Sequence, residues 1–264
     1  MGSLLVAVVL GLVEGITEFL PVSSTGHLIV AGHLLGFLGP RAATFEIFIQ
    51  LGAILAIVGL EHRRFLALLR VSPGSGFSGL RGCGLLALTT APALAAGYLL
   101  HGIIKERLFG PAPVAWALFL GGIAILLVER HLPSARIADV DGIGWREAAI
   151  IGLFQCLALW PGVSRSGATI VGGLLCRLDR RAAATYSFLA AVPTMAAATL
   201  FDLVSSRESL QSGDGLMLSV GFLVSFVSAW AAVRTFVAML GRYTLRPFAW
   251  YRILVAPAVW WAAR

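Results

Sequence analysis

Charge is what this sequence has least of. Asp, Glu, Lys and Arg make up 12% of its 264 residues, about half the share of an ordinary soluble domain. The shortage excludes a water-soluble fold: 58% of the residues are hydrophobic and the mean hydropathy is +0.89. A chain this short cannot bury that many apolar helices on all sides in water, so it is read as an integral membrane protein. Cysteine is scarce as well. Cys83, Cys156 and Cys176 fall in no metal-ligand spacing and read as small buried hydrophobes. No basic flank precedes the first apolar run, so the N-terminal segment is expected to stay as structure and not be cleaved. Acids are outnumbered and the formal charge is +7. In a membrane protein that excess sets orientation and meets anionic headgroups, so no nucleic-acid partner is expected.

What is present begins with one polar stretch, Glu14 to His27, EGITEFLPVSSTGH. Ionisable groups inside an apolar region mark a site or a pathway, because burying them in lipid is costly. Glu14 and Glu18 share one helix face at a spacing of four. Pro21 then breaks the helix ahead of the polar run. A second stretch, Gln155 to Thr169, reads QCLALWPGVSRSGAT and matches the first at an offset of 141 positions. Gly11 meets Gly152, Glu14 meets Gln155, Ser23 meets Ser164, Ser24 meets Arg165, Thr25 meets Ser166 and Gly26 meets Gly167. Downstream, Thr44 meets Thr185 and Phe45 meets Tyr186. This is an internal duplication. The carboxylates lie in the first copy and the arginine in the second, so a site built from both holds what neither copy has alone.

The rest of the chain supplies spans at about 44–60, 84–101, 114–129, 184–201, 216–239 and 248–263. Residues 1–35 and 147–176 are too broken by Pro21 and Pro161 for clean crossings, which take about 20 residues, and read as re-entrant helix pairs. The fold class is therefore all-α and polytopic. Repeat one covers 1–130, a connecting segment 131–144, and repeat two 145–264, in a single membrane domain. Three crossings per unit invert the second unit relative to the first. Basic residues divide thirteen to five between the two sides. Arg41, Lys105, Arg107, Arg207 and Arg264 lie on the side of the N-terminus, and Arg252 is among the thirteen opposite. The richer side is expected to be cytoplasmic, with both termini outside. Trp250, Tyr251, Trp260 and Trp261 read as an interfacial belt.

The turn PGVSRSG opens a helix, and amides at a helix start face an anion. Arg165 adds a planar donor fork suited to phosphate. Ser164, Ser166, Gly167 and Thr169 are candidate partners of the same anion, although capping alone accounts for one hydroxyl. From the first copy, Ser23, Ser24, Thr25 and Gly26 form the facing wall. Bare carboxylates would repel a phosphate. Either a divalent cation, Mg²⁺ or Ca²⁺, bridges Glu14 and Glu18 to it, or one Glu is protonated and acts as an acid. His27 is a candidate nucleophile, base or acid. Glu46, Gln50 and Gln155 are expected to support the acids from behind.

The two motifs resemble the signatures of the bacterial undecaprenyl-diphosphate phosphatases, the family linked to bacitracin resistance. The likeness runs over nearly the whole chain in length, duplication and motif spacing. It implies a phosphoanhydride hydrolase of the bacterial plasma membrane that converts a polyprenyl diphosphate lipid to its monophosphate carrier form for cell-wall synthesis. It also implies a divalent-cation requirement and a site open to the outer face. Glu14, Glu18, His27, Ser23 and Arg165 then match the family's functional acids, histidine, serine and arginine. A homodimer is among the expectations. The rival reading is a transporter or flippase for a polyprenyl phosphate lipid, built on the same inverted repeats.

Overall fold

A computed structural model describes residues 2–70, 76–108, 110–205 and 214–262, without the side chains of 105 and 201–205. Arg207 and Arg264, two of the five basic residues on the side of the N-terminus, lie outside the described residues, as does the side chain of Lys105.

The described chain is all-α. Its helices are α1 (Ser3–Thr17), α2 (Ser24–Leu35), α3 (Pro40–Leu60), α4 (His62–Leu68), α5 (Gly79–Ile103), α6 (Pro111–Arg130), α7 (Trp145–Cys156), α8 (Arg165–Leu175), α9 (Arg180–Ser205), α10 (Gly215–Leu240) and α11 (Arg246–Trp261). Among the described residues the only β pairing is an isolated bridge between Ile137 and Leu178.

Five helices, α3, α5, α6, α9 and α10, have the length and hydropathy of a membrane crossing. The sixth expected span, 248–263, is the 16-residue α11, about 24 Å long and short of the ~30 Å hydrocarbon layer. Helices α1, α2, α7 and α8 have 15, 12, 12 and 11 residues. None spans alone.

Small residues let these short helices seat deeply. α1 packs on α10, α7 on α5, and α6 on α11. A Cβ on Gly15 would fall 2.1 Å from Ser228 Oγ of α10, and one on Gly152 would fall 2.9 Å from the Thr89 carbonyl of α5. Only glycine permits such an approach. The interior is aromatic: Phe19, Tyr186, Phe188, Phe236 and Phe77 are fully buried in one cluster.

Two expectations are corrected. Arg252 does not sit at a headgroup surface. It is 1% exposed, so the basic side keeps twelve of its thirteen residues. Cys83 is exposed and Cys156 and Cys176 half-buried. A thiol is apolar enough to face lipid at little cost. The segment 131–144 packs into the interior, with Val140 and Ile143 buried beside Phe77. Asp139 and Asp141 pair with Arg64 there.

Candidate active site

The two motifs form matching elbows. Between α1 and α2 the chain turns at Pro21, and Ser23 takes φ 69°. Between α7 and α8 it turns at Pro161, and Ser164 takes φ 74°. Left-handed backbone at a residue other than glycine costs on the order of 1 kcal/mol or more. Its recurrence at the same place in both copies indicates a shape that the fold enforces.

The elbows are fastened to each other. Ser166 Oγ donates to the Leu20 carbonyl at 2.8 Å. Arg252 of α11 reaches between them: Nη1 donates to the Pro21 carbonyl at 3.2 Å and Nη2 to the Gly162 carbonyl at 3.0 Å. Its remaining bonds run to the Ala117 and Leu118 carbonyls of α6. Pro21 and Gly162 stand at the 141-residue offset, so one guanidinium binds the same carbonyl in each copy.

This fastening brings Glu18 of the first elbow against Arg165 of the second. Glu18 Oε1 accepts from Arg165 Nη2 at 3.2 Å, and Oε2 accepts from Ser24 Oγ at 2.5 Å. Arg165 Nη1 donates to the Ser187 carbonyl at 3.2 Å. The guanidinium lies 5.5 Å over the Phe19 ring. Its Nε is buried and has no hydrogen-bond partner. An orphaned charged donor is costly, so the site is incomplete without an acceptor. Glu14 is 2% exposed, and its carboxylate makes no hydrogen bond or ion pair among the described residues. It lies within electrostatic reach of Glu18, Glu46 and Arg165.

The other candidates divide. Ser164 Oγ accepts from Gly167 N and bonds Ser166 Oγ, and Thr169 Oγ1 bonds Ser187 Oγ and the Arg165 carbonyl. These groups build the second elbow. The start of α2 has no side-chain cap, which leaves its first amides, around Thr25 and Gly26, open. The Ser23 hydroxyl makes no hydrogen bond among the described residues. Ser24, not Ser23, is in contact with Glu18. Gln155 is bonded away from the acids, to the Thr89 carbonyl and Thr194 Oγ1. Gln50 accepts from Thr199, and Glu46 is half-buried near Glu14.

His27 makes no hydrogen bond or ion pair to Glu14, Glu18 or Arg165 among the described residues. Its Nδ1 lies 2.7 Å from the Ser23 carbonyl, and its Nε2 lies 2.8 Å from the Tyr251 hydroxyl. Sequence reasoning missed Ser187, Phe19, Tyr251 and Arg252 as parts of the site. Only Arg252 carried a signal, as a charge inside an apolar run, the criterion that singled out Arg165.

Comparisons with known proteins place the chain in a family. Residues 7–258 match the family model of the bacitracin resistance protein BacA. The chain is 56% identical over 259 residues to the undecaprenyl-diphosphatase of Maridesulfovibrio salexigens, covering 98% of each. It is 57% identical over 260 residues to that of Oleidesulfovibrio alaskensis, again covering 98% of each. It is 47% identical over 256 residues to undecaprenyl-diphosphatase 1 of Bacillus cereus, covering 97% of each. With the match running through both elbows and every helix between them, the chain belongs to the bacitracin resistance protein BacA family.

Proposed function

We propose that this chain is an undecaprenyl-diphosphatase: it hydrolyses undecaprenyl diphosphate to undecaprenyl phosphate and inorganic phosphate, recycling the carrier lipid. The observation that carries the reading is the buried guanidinium of Arg165, held by Glu18 with its Nε unpartnered. A phosphate oxygen is the acceptor that it lacks.

Water adds to the terminal phosphorus and the bridging P–O bond breaks, with the lipid monophosphate leaving. Charge moves onto the bridging and equatorial oxygens as this happens. Arg165 and the open amides of α2 are the fixed donors that stabilise it. Ser24 and Arg165 together hold Glu18 in one orientation, and the Phe19 ring excludes water from one face of the guanidinium. His27 serves as base.

The residues also fit a divalent cation, Mg²⁺ or Ca²⁺. Glu14 and Glu18 offer hard oxygens, and the Glu14 carboxylate has no protein partner among the described residues. No group of three or more His, Cys, Asp or Glu gathers among them, so the substrate's phosphates and water would complete the coordination. When bound, such an ion neutralises phosphate charge beside the two acids.

Inverted repeats are supported by reciprocal packing. α1 of the first unit seats on α10 of the second, and α7 of the second seats on α5 of the first. Two ion pairs join helix ends that this topology would put on a common side. Arg41 at the start of α3 meets Asp214 before α10. Glu129 at the end of α6 meets Arg180 at the start of α9 and the Leu245 amide before α11. The twelve-to-five split of basic residues favours both termini outside, in the inner membrane of a bacterium. Every group at the site comes from one chain, so a homodimer would leave the chemistry within each subunit.

The test is phosphate release from undecaprenyl diphosphate by purified protein in detergent, with and without chelator. Release that the chelator abolishes and Mg²⁺ restores is expected. A protein that releases none would be a transporter or flippase instead, because detergent leaves nothing to transport across.

A further inference from the structure

The imidazole of His27 has both nitrogens occupied. The Ser23 carbonyl can only accept, so Nδ1 carries the proton and donates to it at 2.7 Å. In the neutral ring, the form that can act as a base, Nε2 then holds the lone pair, and the Tyr251 hydroxyl, 2.8 Å away, donates to it. The two rings lie parallel, 5° apart in tilt, with centroids 5.5 Å apart. The carbonyl fixes the tautomer, and the phenol fixes the height and tilt of the imidazole.

The pair is absent from the other half of the molecule. At the 141-residue offset His27 becomes Ala168 and Tyr251 becomes Gly110. A contact needed only to pack α11 on the elbows would have a counterpart there, since α6, which stands at the same offset, packs on α8 as α11 packs on α2. The other groups around His27 offer Nε2 no donor. Arg252, next on α11, is committed to four backbone carbonyls. Glu18 of α1 is held by Ser24 and Arg165. α6 presents Val114 and Leu118 beside Gly26.

We infer that Tyr251 is the positioning residue of His27, and that protons reach and leave the imidazole through its hydroxyl. This rests on the phosphatase reading above. As water attacks phosphorus, it gives a proton to the Tyr251 oxygen while the phenol's own proton passes to Nε2. One water O–H bond breaks, a phenol O–H is exchanged and an N–H forms. The imidazolium later returns the proton by the same route to the phosphate product. Nε2, covered by the phenol, is not the atom that attacks phosphorus.

The experiment compares wild type, Tyr251→Phe, His27→Gln and the double variant in detergent, on undecaprenyl diphosphate. Tyr251→Phe keeps the ring and the stacking, and should lower kcat tenfold or more with KM within threefold. In the His27→Gln background it should cost nothing further. In ¹⁵N-histidine spectra, assigned with His27→Gln, wild-type His27 should show protonated Nδ1 and bare Nε2. Tyr251→Phe should keep that tautomer, because the Ser23 carbonyl remains, and shift the Nε2 resonance as its hydrogen bond is lost. Equal loss in both backgrounds, an unchanged Nε2 resonance, or a phosphohistidine trapped at His27 overturns the inference. These outcomes leave the phosphatase reading standing, which fails only if wild type releases no phosphate.

Discussion

Removing the charge of Arg165 separates stability from chemistry at this site. In Arg165→Ala, the Glu18 carboxylate loses its cation while it stays buried, with Ser24 as its sole remaining donor. The side chains of the pair are 11% and 8% exposed, so water replaces little of what is lost. Deleting one partner of a buried pair costs about 3–5 kcal/mol. Adding Glu18→Gln removes the stranded charge, so the double variant should be more stable than Arg165→Ala and recover most of that loss. Activity should not follow. The Arg165 donors to the transferring phosphate are gone in both variants, and loss of one such donor slows an enzyme about 10²- to 10³-fold. Thermal unfolding in detergent reads the first quantity and phosphate release the second. A double variant no more stable than the single one would refute the claim that Arg165 neutralises a buried Glu18. A single variant with most of its activity would refute the phosphate clamp.

Other expectations follow from the same geometry. Ser24→Ala should slow turnover at least tenfold, and more than Ser23→Ala, because only Ser24 bonds Glu18; phosphate release on both variants compares them. Arg252→Met strands the Pro21 and Gly162 carbonyls of the two turns and should destabilise by about 2 kcal/mol or more, measured by unfolding in detergent. Partial burial favours the protonated form of Asp141, but the Phe77 amide and Arg64 outweigh it and hold the carboxyl below its usual range. Its contribution is therefore complete above the unfolded value, near 4, and is lost as pH falls through the lower folded value. Hydrogen exchange at the Phe77 amide should accelerate in that acid window, and Asp141→Asn should remove the pH dependence.

Much of this was legible in one dimension. Glu14, Glu18 and Arg165 announce themselves because a charge in an apolar segment needs a reason, and the 141-residue offset puts the acids in one copy and the cation in the other. The helix lengths follow from hydropathy, except at α11. There a buried arginine and a 16-residue length make a helix that serves the elbows. The distinction between Ser23 and Ser24 was not legible. Adjacent hydroxyls look alike in sequence, and the left-handed turn at Ser23 decides which one faces Glu18. Arg252 was read as a surface charge because the positive-inside rule counts residues without seeing which way a helix turns. Tyr251 carried no signal at all, since an aromatic near a membrane interface is the commonest of placements.

The sequence by itself determined the solvent, the helices, the duplication and the inventory of acids and cations, because these depend on the free energy of transferring each residue into lipid. Only the tertiary structure decided which of those groups meet. Glu18 finds Arg165, and His27 finds Tyr251, across 147 and 224 positions of chain. Contacts at such separation are set by how short helices seat on glycine and how one buried guanidinium fastens two turns, and no local pattern encodes either.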